Sequence, residues 1–219
     1  MMQDRRGFGA KELGVRASNR LARLRDQCRR VAAMRTSMDI TPEILRASRN
    51  AHDMLWVFDF QIQDDREPYW FDTAPLEPFE AVGRRGSGCV YALFGPQRHV
   101  LLVTSEGAAA VVAASLRECL ELVVAYPYWE DMVRGSAGDP AEMQRIFRDE
   151  RADYEEDLLE DHPEAEDFRR ILSAEFGLAE PRDPAGLVHR AITELGADVL
   201  VRGLDGTPCA PLFGRYRTG

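Results

Sequence analysis

Apolar side chains recur at Ala17, Leu21, Leu24, Cys28 and Val31, with arginines filling most of the positions between them. The 4-3-4-3 spacing draws one stripe down a helix running from about residue 13 to residue 35. A second helix is predicted from Thr41, an N-cap residue followed by Pro42 at the first helical position. Ile44, Leu45, Ala51, Leu55 and Phe58 carry its apolar face.

Past Phe58 the period shortens. "FDFQI", "YWF", "FEAVG", "CVYALF" and "HVLLVT" are brief runs rich in aromatic and β-branched residues, the composition of strands. The separators "DDREP", "DTAPLEP", "GRRGSG", "GPQ" and "SEG" are turn chemistry. Connections this short favour antiparallel neighbours. "AAAVVAA" reads as a last strand, and Ser115 with Glu118 forms a capping box that opens a helix through Leu116, Leu120 and Val123.

Helical spacing returns after Gly135. Asp139 and Pro140 start one helix, buried through Met143, Ile146 and Phe147. Phe168, Ile171, Leu172 and Phe176 mark another, stopped by Gly177. Asp183 and Pro184 open a third, buried through Leu187, Val188, Ala191, Ile192 and Leu195. The tail "ADVLVRG…APLFGRY" reads as a short strand. Helices, then strands, then helices predict an α+β fold: a mostly antiparallel central sheet with N-terminal and C-terminal helices packed on it.

Charge changes this picture more than bulk composition does. Net charge is −9, yet residues 1–50 hold 12 basic against 5 acidic side chains, while residues 140–183 hold 6 against 15. The tract Asp149 to Asp167 carries eleven acids in nineteen residues. A solvated helix face is one reading of it. The other is a surface for a basic partner, since such an array can imitate phosphate spacing and speed encounter. Phe8 is the single aromatic side chain before Trp56, too few to stack on bases, so direct nucleic-acid binding is not expected. No run of 18 apolar residues exists, and "MMQDRRGFGAKELG" has no apolar segment behind its charges. The expectation is a cytoplasmic protein with no membrane partner.

The search for chemistry returns little. Gly83, Gly86 and Gly88 space as GxxGxG, but a phosphate loop needs a Lys and a hydroxyl after its last glycine, and the one lysine is Lys11. A strand-like run comes next, where an anion site needs a helix N-terminus. The stretch therefore reads as a hairpin turn, with an anion contact through Arg84 and Arg85 as the alternative. Cys28, Cys89, Cys119 and Cys209 form no CxxC pair, and His52, His99, His162 and His189 stand apart. Neither a metal nor a cofactor is expected, no nucleophile has a local base, and no enzymatic activity is expected.

The strand region resembles the central segment of the SUKH superfamily, a family named from a yeast cell-wall synthesis regulator and its relatives. Pro78-Phe79 precedes a strand; Gly86 and Gly88 make the turn; Tyr91 is the aromatic of the next strand. Val100 to Val103, Glu106-Gly107 and the alanine-rich run into a Ser-capped helix, Ala113 to Leu122, complete the likeness, which spans residues 76–123. The chain departs from the family in lacking its opening Leu-Pro step and Asn-Gly, and in a longer, more acidic region after Gly135. The resemblance implies an α+β core at 39–135, between an Arg-rich helical segment at 1–38 and an acidic helical region at 136–219 packed on the same domain. Bacterial members are commonly immunity proteins that block a cognate toxin acting on nucleic acid. On that basis the expected function is non-enzymatic binding of a basic protein toxin. Asp153, Glu155, Glu156, Asp157 and Glu160 would form the contact, with Tyr126, Tyr128 and Trp129 as aromatic anchors. The alternatives are a small nucleotide- or phosphate-binding enzyme or regulator using the Gly83–Gly88 turn, and a structural or signalling adaptor.

Overall fold

From Thr41 to Phe58 the chain makes two short helices and a tight turn where the apolar spacing predicts one helix. The computed structural model describes residues 39–63, 69–74 and 78–213. The chain divides between Asp39 and Ile40, and the helical stripe expected through Ala17 and Val31 lies outside the described residues. Helix α1 (Pro42–Ala47) ends at Ser48, helix α2 (Arg49–Met54) begins there, and a 3₁₀ turn completes the segment at Leu55–Phe58. Ser48 causes the break. Its backbone is extended, and its hydroxyl accepts the Ala51 N–H at 3.1 Å, the local alternative to a continuous helix that serine offers. The break leaves Ile44 exposed, whereas Leu45, Ala51, Leu55 and Phe58 remain in the core.

Four strands form an antiparallel meander: β3 (Phe79–Arg84), β4 (Val90–Phe94), β5 (His99–Val103) and β6 (Ala108–Ala113). Strand β1 (Gln61–Ile62) pairs antiparallel with β3, and β8 (Ala210–Pro211) pairs parallel with β6. The six-stranded order is β1-β3-β4-β5-β6-β8. "GRRGSG" is the hairpin between β3 and β4: Arg85 and Cys89 share a backbone bond, and Gly88 sits at φ 90°, a region that glycine enters without a Cβ clash. Gly83 is needed for another reason, because a Cβ there would lie 2.6 Å from Cε1 of the Phe60 ring.

Period-two alternation sends the meander's side chains to two separate cores. Val82, Tyr91, Leu93, Val100, Leu102 and Val112 join a large cluster with the helices. Ala81, Val90, Leu101, Val103 and Ala109 face the other way. There they meet Phe71 of β2 (Phe71–Ala74) and Val201 of β7 (Leu200–Gly203), which pair antiparallel as a second, two-stranded sheet. Both faces of β4 and β5 are therefore covered, which explains why "VYALF" and "HVLLV" are apolar throughout.

The remaining helices are α3 (Leu116–Ala125), α4 (Trp129–Gly135), α5 (Pro140–Asp149), α6 (Arg151–Asp161), α7 (Ala165–Phe176) and α8 (Pro184–Arg190). Their caps agree with the sequence: Ser115, Asp139 and Asp183 accept first-turn N–H groups, and Gly177 ends α7 at φ 65°. Met143, Phe147, Leu172 and Val188 enter the same core as α3. One expectation fails at the end of α8. The chain continues as a π turn, Ala191–Leu195, in which Gly196 N–H reaches Ala191 carbonyl, and Leu195 faces solvent. The wider turn rotates that position off the helical stripe. The architecture is α+β, with a mostly antiparallel central sheet. Among the described residues, no helix is long and apolar enough to cross a membrane.

Candidate functional site

Among the described residues, helix α6 is the one long helix of the C-terminal region that buries no residue completely. Its inner side is amphipathic: Tyr154, Leu158 and Leu159 pack partly on the core, and the Tyr154 ring stacks on Tyr128 at 4.7 Å. Its outer side carries Asp153, Glu156, Asp157, Glu160 and Asp161, all exposed. Among the described residues, none of these five carboxylates holds an ion pair. Several acids on other elements are matched. Glu80 pairs with Arg46 and Arg98, Glu142 and Asp149 with Arg145, Asp167 with Arg170, and Glu180 with Arg151.

The arrangement works against helix stability. Like charges stand at i,i+3 and i,i+4 along the outer face, each such pair costing roughly 0.2–0.5 kcal/mol. Glu160 and Asp161 also occupy the last turn, where the helix dipole is negative and no basic residue offsets it. A face retained at this cost favours an external cation or cationic surface as its partner.

The fifth acid named from sequence, Glu155, is turned inward. It accepts the Tyr128 hydroxyl at 2.6 Å and takes both Nη atoms of Arg169, at 2.6 and 2.9 Å. The Arg169 Nε donates to the Val124 carbonyl at 2.8 Å, so this carboxylate fastens α6 to α7 and α3.

The three aromatic residues expected as anchors are interior. Tyr126, Tyr128 and Trp129 are all buried in the main core, which removes their rings from any partner's reach. The reason is visible in their polar tips: each tyrosine buries an apolar body and finds an acid for its hydroxyl. Tyr126 donates to Glu180 at 2.9 Å, and Arg151 lies 4.8 Å over its ring. Burial, with that hydrogen bond to Glu180, pushes the Tyr126 hydroxyl up to about 12 from an ordinary 10.0. Burial and then Glu155 push the Tyr128 hydroxyl up as well.

A raised folded-state pKa contributes stability that is fully present below the unfolded value and lost as pH rises through the folded one. For Tyr126 the window is pH 10 to about 12. Urea unfolding across this window is expected to show stability falling with pH, and Tyr126→Phe to weaken that fall. A profile that stays level to about pH 12 contradicts the assignment.

The two arginines of the hairpin part company. Arg84 ends β3 and is exposed. Arg85 turns inward, where Nε donates to Asp59 at 2.6 Å and Nη1 to Glu130. Glu130, whose side chain is 4% exposed, is also held by Arg134 at 2.6 Å. An anion contact through Arg85 would have to displace two carboxylates that already neutralise it.

Trp56 was not among the residues the sequence singled out. It is 47% exposed, meets the His162 ring edge-on at 5.2 Å beside the end of α6, and donates its Nε1–H to the Asp53 carbonyl at 2.9 Å. The signal was present: a stripe through Ala51, Leu55 and Phe58 leaves position 56 on the opposite side. A fixed, half-exposed indole next to an acidic face is a usual form of interface anchor.

Comparison with family models, with curated proteins and with solved structures returns no match for this chain.

Proposed function

We propose that the protein is a non-enzymatic, cytoplasmic binding protein that blocks a basic protein partner with the outer face of α6 and the neighbouring Trp56. One observation carries the reading: Asp153, Glu156, Asp157, Glu160 and Asp161 are all exposed, hold no ion pair among the described residues, and are gathered within nine residues of one helix. The like sign of the α6 face and of a phosphate backbone disfavours nucleic acid itself as the ligand and favours a protein that binds nucleic acid. The SUKH resemblance of residues 76–123 adds the partner class, a cognate toxin directed at nucleic acid, and gives the protein the role of its immunity factor.

The neighbouring gene is the first test. A large secreted toxin there supports the reading, and a metabolic operon opposes it. With that toxin purified, the variant D153K/E156K/D157K/E160K is expected to bind roughly a hundredfold more weakly and to lose most of the salt dependence. Its thermal stability should be unchanged or higher, because only exposed groups change and a lysine in the last turn suits the helix dipole. Unaltered affinity in this variant removes α6 from the interface.

A further inference from the structure

A cavity of about 350 Å³ opens between α3, the start of α6, α7 and the segment 178–180. Its size falls at the small end of ligand sites. Charged groups of both signs line it, yet the pairing is uneven. Arg151, Arg169 and Arg170 are matched by Glu180, Glu155 and Asp167. Glu121 and Glu166, which line the same cavity, hold no ion pair among the described residues. Glu121 is half-buried, and its one hydrogen bond is accepted from the Ala179 N–H at 3.2 Å. Burial pushes its carboxyl above the usual range, against the pull of that N–H and of Arg117. A half-desolvated carboxylate is stabilised by any cation brought beside it. Val124, Ala125 and Leu178 supply apolar wall, and Ser173 a further acceptor.

We propose that this cavity binds a small alkyl cation, an ammonium or guanidinium on a short carbon chain, with Glu121 and Glu166 facing the charge and Val124 and Leu178 the carbons. The charged group replaces the missing ion-pair partner of both acids, and the chain length is limited by the volume. The inference stands apart from the α6 surface and does not depend on it.

The test is calorimetric titration of the full chain with agmatine and with 1,4-diaminobutane, and with N-acetylarginine amide to represent the same group carried on a peptide. Glutarate serves as the anion control. At least one cation is expected to bind with Kd below about 10 mM, glutarate is not, and Glu121→Gln is expected to weaken binding about tenfold. Glu166→Gln, at an exposed position that does not threaten folding, is expected to weaken it several-fold, and thermal unfolding checks Glu121→Gln. Because the outer acids of α6 attract the same probes, binding must persist in D153K/E156K/D157K/E160K. Tighter binding of the free amines points to a metabolite, and tighter binding of the peptide form to a partner's side chain; either supports the site. Failure of all three cations, equal affinity in Glu121→Gln, or loss of binding in the α6 variant overturns it. None of these results bears on whether α6 binds a toxin.

Discussion

Replacing Arg85 with leucine is expected to lower the unfolding free energy by about 3 kcal/mol, near the bottom of the range for breaking a buried ion pair. The cost comes from the charges left behind. Glu130 is almost fully enclosed and would keep only Arg134, whose side chain is itself half in water. Asp59, which also accepts the Gly86 N–H at 2.8 Å, would lose its charged partner at the base of the β3–β4 hairpin. Burial alone would push the Arg85 guanidinium down, but the hydrogen bond and charge of Asp59 and the charge of Glu130 hold it ionised. The double variant R85L/E130L removes both interior charges and is expected to recover most of the loss, because a buried pair is often worth no more than the apolar groups that replace it. Urea unfolding decides the matter. A single-variant loss below about 1 kcal/mol, the range of an exposed pair, would show that Arg85 is free for another role.

Trp129→Ala is expected to cost about 3–5 kcal/mol, the usual range for deleting a buried large aromatic side chain. Trp129 is wholly buried; its Nε1 makes no well-aligned hydrogen bond among the described residues, and its polar neighbour is the buried Tyr91 hydroxyl. Its contribution is therefore mainly packing, since an indole N–H with a poorly aligned partner recovers little of what it loses on leaving water. Trp129→Phe discards that donor along with part of the volume, so it should cost far less than alanine. If phenylalanine is as damaging as alanine, the indole nitrogen has a partner after all. The binding proposed for the α6 face should be unaltered in either variant, provided the protein is folded.

These residues show where the sequence was informative. The meander was legible because alternation and turn chemistry are local, and "GRRGSG" could be assigned as a hairpin from the strand-like "CVYALF" behind it. The caps at Ser115, Asp139 and Asp183 were legible for the same reason. Ser48 was not, since one polar residue in an apolar period looks like an outward helix position and gives no sign of capping a new helix. The pairing of β2 with β7 was equally hidden: it joins segments far apart in the chain, and no local pattern encodes a non-local register. The fate of Tyr126 and Tyr128 depended on Glu180 and Glu155, acids in later elements that satisfy their hydroxyls. Glu155 looked like its neighbours in α6 until its angular position placed it beside Arg169. The outer acids of α6 needed no such partner, so the sequence alone brought them forward.

The outermost strands of the six-stranded sheet, β1 and β8, are each two residues long, and β8 ends at Pro211, which has no N–H to donate. Among the described residues, each of these border strands thus offers only a two-residue backbone ladder to another chain. Short borders of this kind narrow the commonest route by which β proteins polymerise into fibres, edge-to-edge pairing with a second copy.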